Sequence, residues 1–446
     1  MRADPGIGGD PSDTDASSDS ERLTPGERLT DFARAGARID RTEWGDALAS
    51  AAFGYLALLG VGAVFMVAAK LQFPALGSGF NPLSLVTAMT VLGLASLGAP
   101  LHIGAVELSA LPLGSLGLFG AAFGGAVRLP RATRLASAAL SLRVVAGVRC
   151  GVCFGALCGL AALIFRFRGA PDPVFVNAWR ALGLGLLWGC LFGSLGGLRA
   201  QRPAGSWLAD AARALRVRSR LVYEAAAGAG FMLVAGLALS GAAALVWIVV
   251  ALARGSVPPG FGIRDAVAAI LYLVAFAPNI AVSFLALSLG APVEVGGRVT
   301  VGGRDFGQVL EYSFVEWGAG DPPWYLFALL LIPVLSCFGA GFVAHRTATN
   351  DNAVLEVIGL GALLFAGAVL VLASVGDARL GAGLLGRRGL ARAAPDALTA
   401  AVFACGWGAA LGFMGWKSAG LVTRRSGPVT RKSGSSPGRN SPDHHE

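Results

Sequence analysis

The chain has 446 residues, 54% hydrophobic and only 14% charged, with a mean hydropathy of +0.64. A soluble domain carries about 25% charged residues, so a water-soluble globule is excluded and an all-α integral membrane protein is expected. The formal net charge of +9 sits in the tails and connections. It reads as positive-inside anchoring, not as nucleic-acid binding, because no folded basic module is evident.

In chain order, residues 1–45 are Asp/Ser/Gly/Pro-rich and then charged, a composition expected of a disordered cytoplasmic tail. The segment up to about Ser20 is polar, so no cleavable signal peptide is expected and the first apolar run should direct insertion. Apolar runs follow at about 47–69, 83–99, 109–127, 145–165 and 177–198, forming a first membrane repeat over 46–198. The stretch 199–222 carries Arg199, Arg202, Arg213, Arg216, Arg218 and Arg220 and reads as a basic cytoplasmic linker. A second repeat over 223–416 has runs at about 225–253, 266–291, 324–344, 355–376 and 397–416. Residues 417–446 read as a disordered basic tail near anionic headgroups.

Four sequence anchors recur in the same order. Ser96-Leu97-Gly98-Ala99-Pro100 returns as Ser288-Leu289-Gly290-Ala291-Pro292. Phe119-Gly-Ala-Ala-Phe123 returns as Phe338-Gly-Ala-Gly-Phe342, and Arg168-Gly-Ala-Pro-Asp172 as Arg392-Ala-Ala-Pro-Asp396. Trp188-Gly189-x3-Gly193-x2-Gly196 returns as Trp407-Gly408-x3-Gly412-x2-Gly415. The expected fold class is therefore two homologous halves of about five apolar segments each.

Both tails and the linker should be cytoplasmic, which needs an even number of crossings per half. The second run of each half is the candidate for a segment that dips in and returns. Its second copy contains Pro278-Asn279, which is expected to interrupt the helix. The connection 292–323 is acidic on balance and reads as an outside loop. Residues 377–396, with Arg379, Arg387, Arg388 and Arg392, fit that scheme poorly.

After Pro100 and after Pro292 the chain alternates apolar and polar residues around Gly104-Ala105 and Gly296-Gly297. That pattern predicts a short extramembrane β-hairpin in each half. A two-stranded ribbon cannot face lipid, so the hairpins should meet on the outer face. His102, Glu107, Glu294 and Arg298 are the candidate binding or gating residues there; the plainer reading is a structural turn.

Ionisable groups within spans are few. Arg149 and Glu356 are candidates for an ion pair between the halves, or for independent snorkelling to the interface. Asn279 is expected to satisfy backbone freed by Pro278, or, in the sharper reading, to bind a substrate. The six Cys (Cys150, Cys153, Cys158, Cys190, Cys337, Cys405) lie in apolar runs, so Cys150-x-x-Cys153 reads as packing residues, not a redox pair. The glycine motifs read as close helix packing. No catalytic spacing, cofactor motif or metal cluster is present, so no catalytic, cofactor or metal residue is assigned.

The chain resembles the streptophobe family, very hydrophobic multi-pass proteins of Streptomyces-type actinobacteria. The resemblance covers about residues 45–420. It is carried by Leu111-Pro112-Leu113, Trp188-Gly189, Ala277-Pro278-Asn279-Ile280, Pro323-Trp324-Tyr325 and Trp407-Gly408-x3-Gly412. A second resemblance, through the Pro-Asn run and the Gly-rich loop after it, is to PerM-like cell-division membrane proteins. The first implies a multi-pass protein of the bacterial cytoplasmic membrane and no particular activity. The expectation is a non-enzymatic envelope or scaffold component, with the lipid bilayer and a membrane or envelope protein as partners. The alternative is a transporter or permease working between the repeats.

Overall fold

A computed structural model describes residues 41–72, 81–103, 106–128, 140–166, 174–198, 215–217, 219–254, 262–301, 304–306, 309–312, 324–347, 354–376, 378–384 and 387–425. The two tails, most of the linker and Arg168–Asp172 lie outside these. Five helices belong to the first half: α1 (Arg41–Gln72), α2 (Pro82–Ser96), α3 (Leu113–Arg128), α4 (Leu140–Ile164) and α5 (Ala178–Leu198). Five belong to the second: α6 (Arg220–Ala253), α7 (Ile263–Leu289), α8 (Leu331–Thr347), α9 (Val354–Val375) and α10 (Ala397–Arg425). Eight helices are long and apolar enough to cross a bilayer; α2 and α3 are shorter apolar helices. α10 continues to Arg425, past the end predicted at 416.

Each half has its own core. The first centres on Phe119, Phe123 and Phe154, stacked with ring centroids 5.1–5.7 Å apart, together with Leu97 and Ala99. The second gathers Leu285, Leu289, Ala291, Cys337 and Phe365. Cys150, Cys158 and Cys337 are buried.

The repeated pentapeptide is built the same way twice. Ser96 and Ser288 turn their hydroxyls back onto the carbonyls of Gly93 (2.6 Å) and Leu285 (2.7 Å). Gly98 and Gly290 take left-handed φ of 90° and 103°, which glycine alone adopts freely and which ends a helix. The last carbonyls of a helix lack partners within it, and inside a membrane that shortfall is costly. Here the indole N–H of Trp188 donates to the Leu97 carbonyl (3.1 Å), and that of Trp407 to the Leu289 carbonyl (2.9 Å). Eleven residues before each tryptophan stands the cap of its helix. Asn177 accepts from the backbone N–H of Trp179 and Arg180, and Asp396 from those of Leu398 and Thr399. Asn177, not Asp172, is thus the counterpart of Asp396. Trp188→Phe should lose about 1 kcal/mol of stability, read as an earlier thermal midpoint in detergent. Trp407→Phe should behave alike.

These bonds set the course of the chain. Trp188 lies halfway along α5, so α2 ends level with the middle of α5. α2 runs antiparallel to α1, with Gly93 against Leu58 and Gly62 against Met89. The chain then turns at Gly98 and climbs back as β1 (Leu101–Ile103), which pairs with β3 (Val174–Val176) at the start of α5. α7 repeats this course against α6, with Leu285 at Gly236 and Ala281 at Gly241. It ends at Trp407 and returns as β4 (Val293–Val301), pairing Val293 with Pro395 beside α10. Pro278 does not break α7, which is continuous over its 27 residues.

All eight strands form one sheet at this end of the molecule, in the order β3-β1-β2-β7-β8-β4-β5, with β6 also on β4. The remaining strands are β2 (Val106–Ser109), β5 (Arg304–Phe306), β6 (Val309–Tyr312), β7 (Ala378–Leu384) and β8 (Arg387–Pro395). The first hairpin is as predicted, with Ile103 opposite Val106. The second is not. β4 runs straight through Gly296-Gly297, because β8 on one side and β6 with β5 on the other supply its hydrogen bonds. The two predicted ribbons do not touch directly. The strands β7 and β8 lie between them, so Ala378–Leu384 and Arg387–Pro395 of the arginine-rich stretch are part of the sheet.

Candidate functional site

Directly opposed residues share one face of a sheet, and the face alternates along a strand. The register pairs His102 with Glu107, Glu107 with Gly381, Gly381 with Leu390 and Leu390 with Arg298. Glu294 lies four positions before Arg298 on β4. The four sequence-predicted residues His102, Glu107, Glu294 and Arg298 therefore share one face of a single sheet, though they come from both halves. The other face carries Leu101, Val176 and Val293, all buried. The sheet is amphipathic, with its apolar face toward the helices.

On this face Glu107 is exposed, and His102 and Glu294 are half-buried. Glu107 stands 3.8 Å from Arg180, and both are largely exposed. Such a pair contributes little to stability. The His102 ring stacks on Phe175 at 5.0 Å, and Arg166 lies over the same Phe175 ring. No group of metal-binding side chains occurs among the described residues.

Asn279 is elsewhere and does something else. It is buried in α7. Its Oδ1 accepts from the Leu113 N–H at 2.8 Å, and its Nδ2 donates to the Leu111 carbonyl at 2.8 Å. Leu111 lies in the turn before α3 and Leu113 is the first residue of α3, both in the first half. Asn279 thus does not serve the backbone freed by Pro278. Gly114 comes up against the Val274 and Ala275 carbonyls of the Pro278 region: a Cβ on it would lie 2.3 Å and 2.6 Å from those oxygens. The predicted pair of Arg149 with Glu356 is also not formed. Arg149 bonds Glu43 of α1 and lies 6.0 Å from the Trp44 ring, while Glu356 is exposed in the first turn of α9. Arg149 and Glu43 belong to the same half, packed end by end on α4 and α1.

The tryptophan latches were missed, although both tryptophans stood inside a recognised motif. The clue was positional: each Trp-Gly motif has its own Ser-Leu-Gly-Ala-Pro.

Among the described residues, ten apolar helices, eight of them long enough to span, and a capping sheet define a multi-pass membrane protein. Comparison with protein-family models, with curated proteins and with solved structures finds no match for this chain.

Proposed function

We propose that this chain is a duplicated, non-enzymatic scaffold of a bacterial cytoplasmic membrane, of the streptophobe kind, which presents its sheet outside as a docking surface for an envelope protein. The observation that carries the reading is the pairing of β2 with β7, from Val106–Ala382 to Ser109–Arg379. It fuses strands of both halves into one continuous sheet. Transporters built from repeats rock one half against the other. A shared sheet, with Asn279 bonded across the same boundary, favours a rigid unit instead.

The matched latches, caps and left-handed glycines support descent of the halves from one duplicated unit. The sidedness follows from charge. α1 and α6 start, and α5 and α10 end, away from the sheet, so the arginine-rich linker and both tails attach there. By the positive-inside rule that end is cytoplasmic and the sheet is outside. Each half then contributes an even number of crossings, with α2 and α7 entering from and returning to the outer side. Accessibility reporters at residues 105 and 310 should both respond from outside; a cytoplasmic response from either contradicts this topology. For the docking function, photo-crosslinking amino acids at Glu107 and Glu294 in living cells should trap one protein partner in common. Adducts with lipid alone, together with solute flux through the purified protein in vesicles, would overturn the scaffold reading in favour of transport.

A further inference from the structure

The repeat runs further into the sheet than the Ser-Leu-Gly-Ala-Pro motif. Leu101 of β1 opposes Val176 on one side and Leu108 on the other. Val293 of β4 opposes Pro395 and Tyr312 in the same way. One step on, His102 stands between Phe175 and Glu107, as Glu294 stands between Ala394 and Glu311. The set β3-β1-β2 is therefore repeated as β8-β4-β6, register included. The residues agree where this register puts them together. Val106-Glu107-Leu108-Ser109 falls on Leu310-Glu311-Tyr312-Ser313, apolar-Glu-apolar-Ser in both.

The two sets differ at their outer edges. β2 gives the edge away from β1 to β7, in four antiparallel pairs from Val106–Ala382 to Ser109–Arg379. β6 holds the place of β2 in the second set. It pairs with β4 on one side and with no strand on the other among the described residues. An open strand edge presents unpaired N–H and C=O groups as a template for a further strand.

We propose that the open edge of β6 takes an extended segment of the envelope protein as an added antiparallel strand. This rests on the docking role proposed above and gives that role its mode of binding. In strand addition the main-chain hydrogen bonds supply affinity, and residues at alternate positions select the partner. What fits is read from β7, the strand that fits β2. Gly381 opposes Glu107 and Leu380 opposes Leu108. The added strand should accordingly place a glycine or alanine opposite Glu311 and an aliphatic residue opposite Tyr312. The β7 of a second copy does not serve, because β2 and β8 already pair with both of its edges.

The test places photo-crosslinking amino acids one at a time at Val309, Leu310, Glu311 and Tyr312 of the full-length protein in its own cells. Mass spectrometry then maps the residues joined. One envelope protein should be trapped from all four positions, and its joined residues should step backwards as the position steps forwards. Adducts to this chain's own residues 167–173 or 313–323, or to a second copy, would overturn the proposal. No adducts here, with a common partner still trapped at Glu107 and Glu294, would overturn it and leave the docking role standing. No protein partner at any of the six positions overturns both. Proline separates main-chain pairing from side-chain contact. Successive N–H groups along a strand point to opposite edges. Of Leu310→Pro and Glu311→Pro, one therefore loses a bond to β4 and the other only an outward donor. The variant that keeps the wild-type thermal midpoint should trap the partner about tenfold less from Tyr312. Trapping at the wild-type level in that variant would overturn strand addition. If both variants unfold, the antiparallel order of the adducts decides.

Discussion

Gly151→Leu should abolish accumulation of folded protein, the largest effect expected of any single substitution here. α4 and α5 meet along two rows of glycine at four-residue spacing. Gly147, Gly151, Gly155 and Gly159 face Gly193, Gly189, Gly185 and Leu182. Between helices in a membrane there is no hydrophobic drive, and close backbone contact supplies the attraction. A Cβ on Gly151 would lie 2.2 Å from the Cys190 nitrogen and 2.5 Å from its Cα. These are backbone atoms, so the helices themselves must part. Losing that seam exposes the phenylalanine core behind it and costs more than about 4 kcal/mol, comparable to the whole stability of many domains. The second half offers the control. Its counterpart of Gly189 is Gly408, where a Cβ would meet the Ala362 side chain at 3.2 Å. Gly408→Ala should cost less than about 1.5 kcal/mol. Gly183→Ala has nothing within 4 Å and should be neutral or slightly stabilising, since alanine is the better helix former by about 1 kcal/mol. Size-exclusion profiles of fluorescent fusions and thermal midpoints would check all three. A Gly151→Leu protein that elutes and unfolds like the wild type would contradict the packing described.

What the sequence made legible follows a physical division. Apolar runs are local signals, and the five-plus-five helices appear where such runs stand. The turn at Ser-Leu-Gly-Ala-Pro was visible because glycine and proline act on their own backbone. Strands depend on partners far away in the chain. That is why Val174–Val176 and the arginine-rich 378–395 did not read as strands, and why Gly296-Gly297 read as a turn. In isolation Gly-Gly suits a hairpin; flanked by two neighbouring strands it extends. The residues His102, Glu107, Glu294 and Arg298 were chosen one hairpin at a time, from alternation alone. That they share one surface needed the β2–β7 pairing, which no local pattern encodes. Arg149 was recognised as unusual, but Glu43 belongs to the stretch 1–45, read as a tail, so the nearer partner was passed over. Asn279 was singled out for its neighbour Pro278, and its true partners are backbone groups, which leave no mark on residue type.

Asn279→Leu should loosen the joint between the halves without emptying either core. The side chain satisfies one backbone N–H and one backbone carbonyl at once, both at the buried entry to α3. The first N–H groups of a helix have no partner within it, and Leu113 is the first residue of α3. Leucine has similar bulk but can neither donate nor accept. Polar contacts between membrane helices average well under 1 kcal/mol because the separated helices find other partners. This case differs, since both partners are fixed main-chain groups with no water to replace the amide. A loss of about 2–4 kcal/mol is expected. Its location makes it separable from a general defect. A protease site placed in the linker 199–222 would let the halves be cut apart after folding. Cut wild-type protein should remain associated through β2–β7 and Asn279. The cut Asn279→Leu protein should fall into two fragments at a lower detergent or urea concentration, while each fragment keeps its helical content. Glu356→Gln, exposed and without a role at the joint, should leave the dissociation point unchanged. If Asn279→Leu dissociates with the wild type yet the protein loses a bound solute, the residue serves a ligand, and the halves are held by the sheet alone.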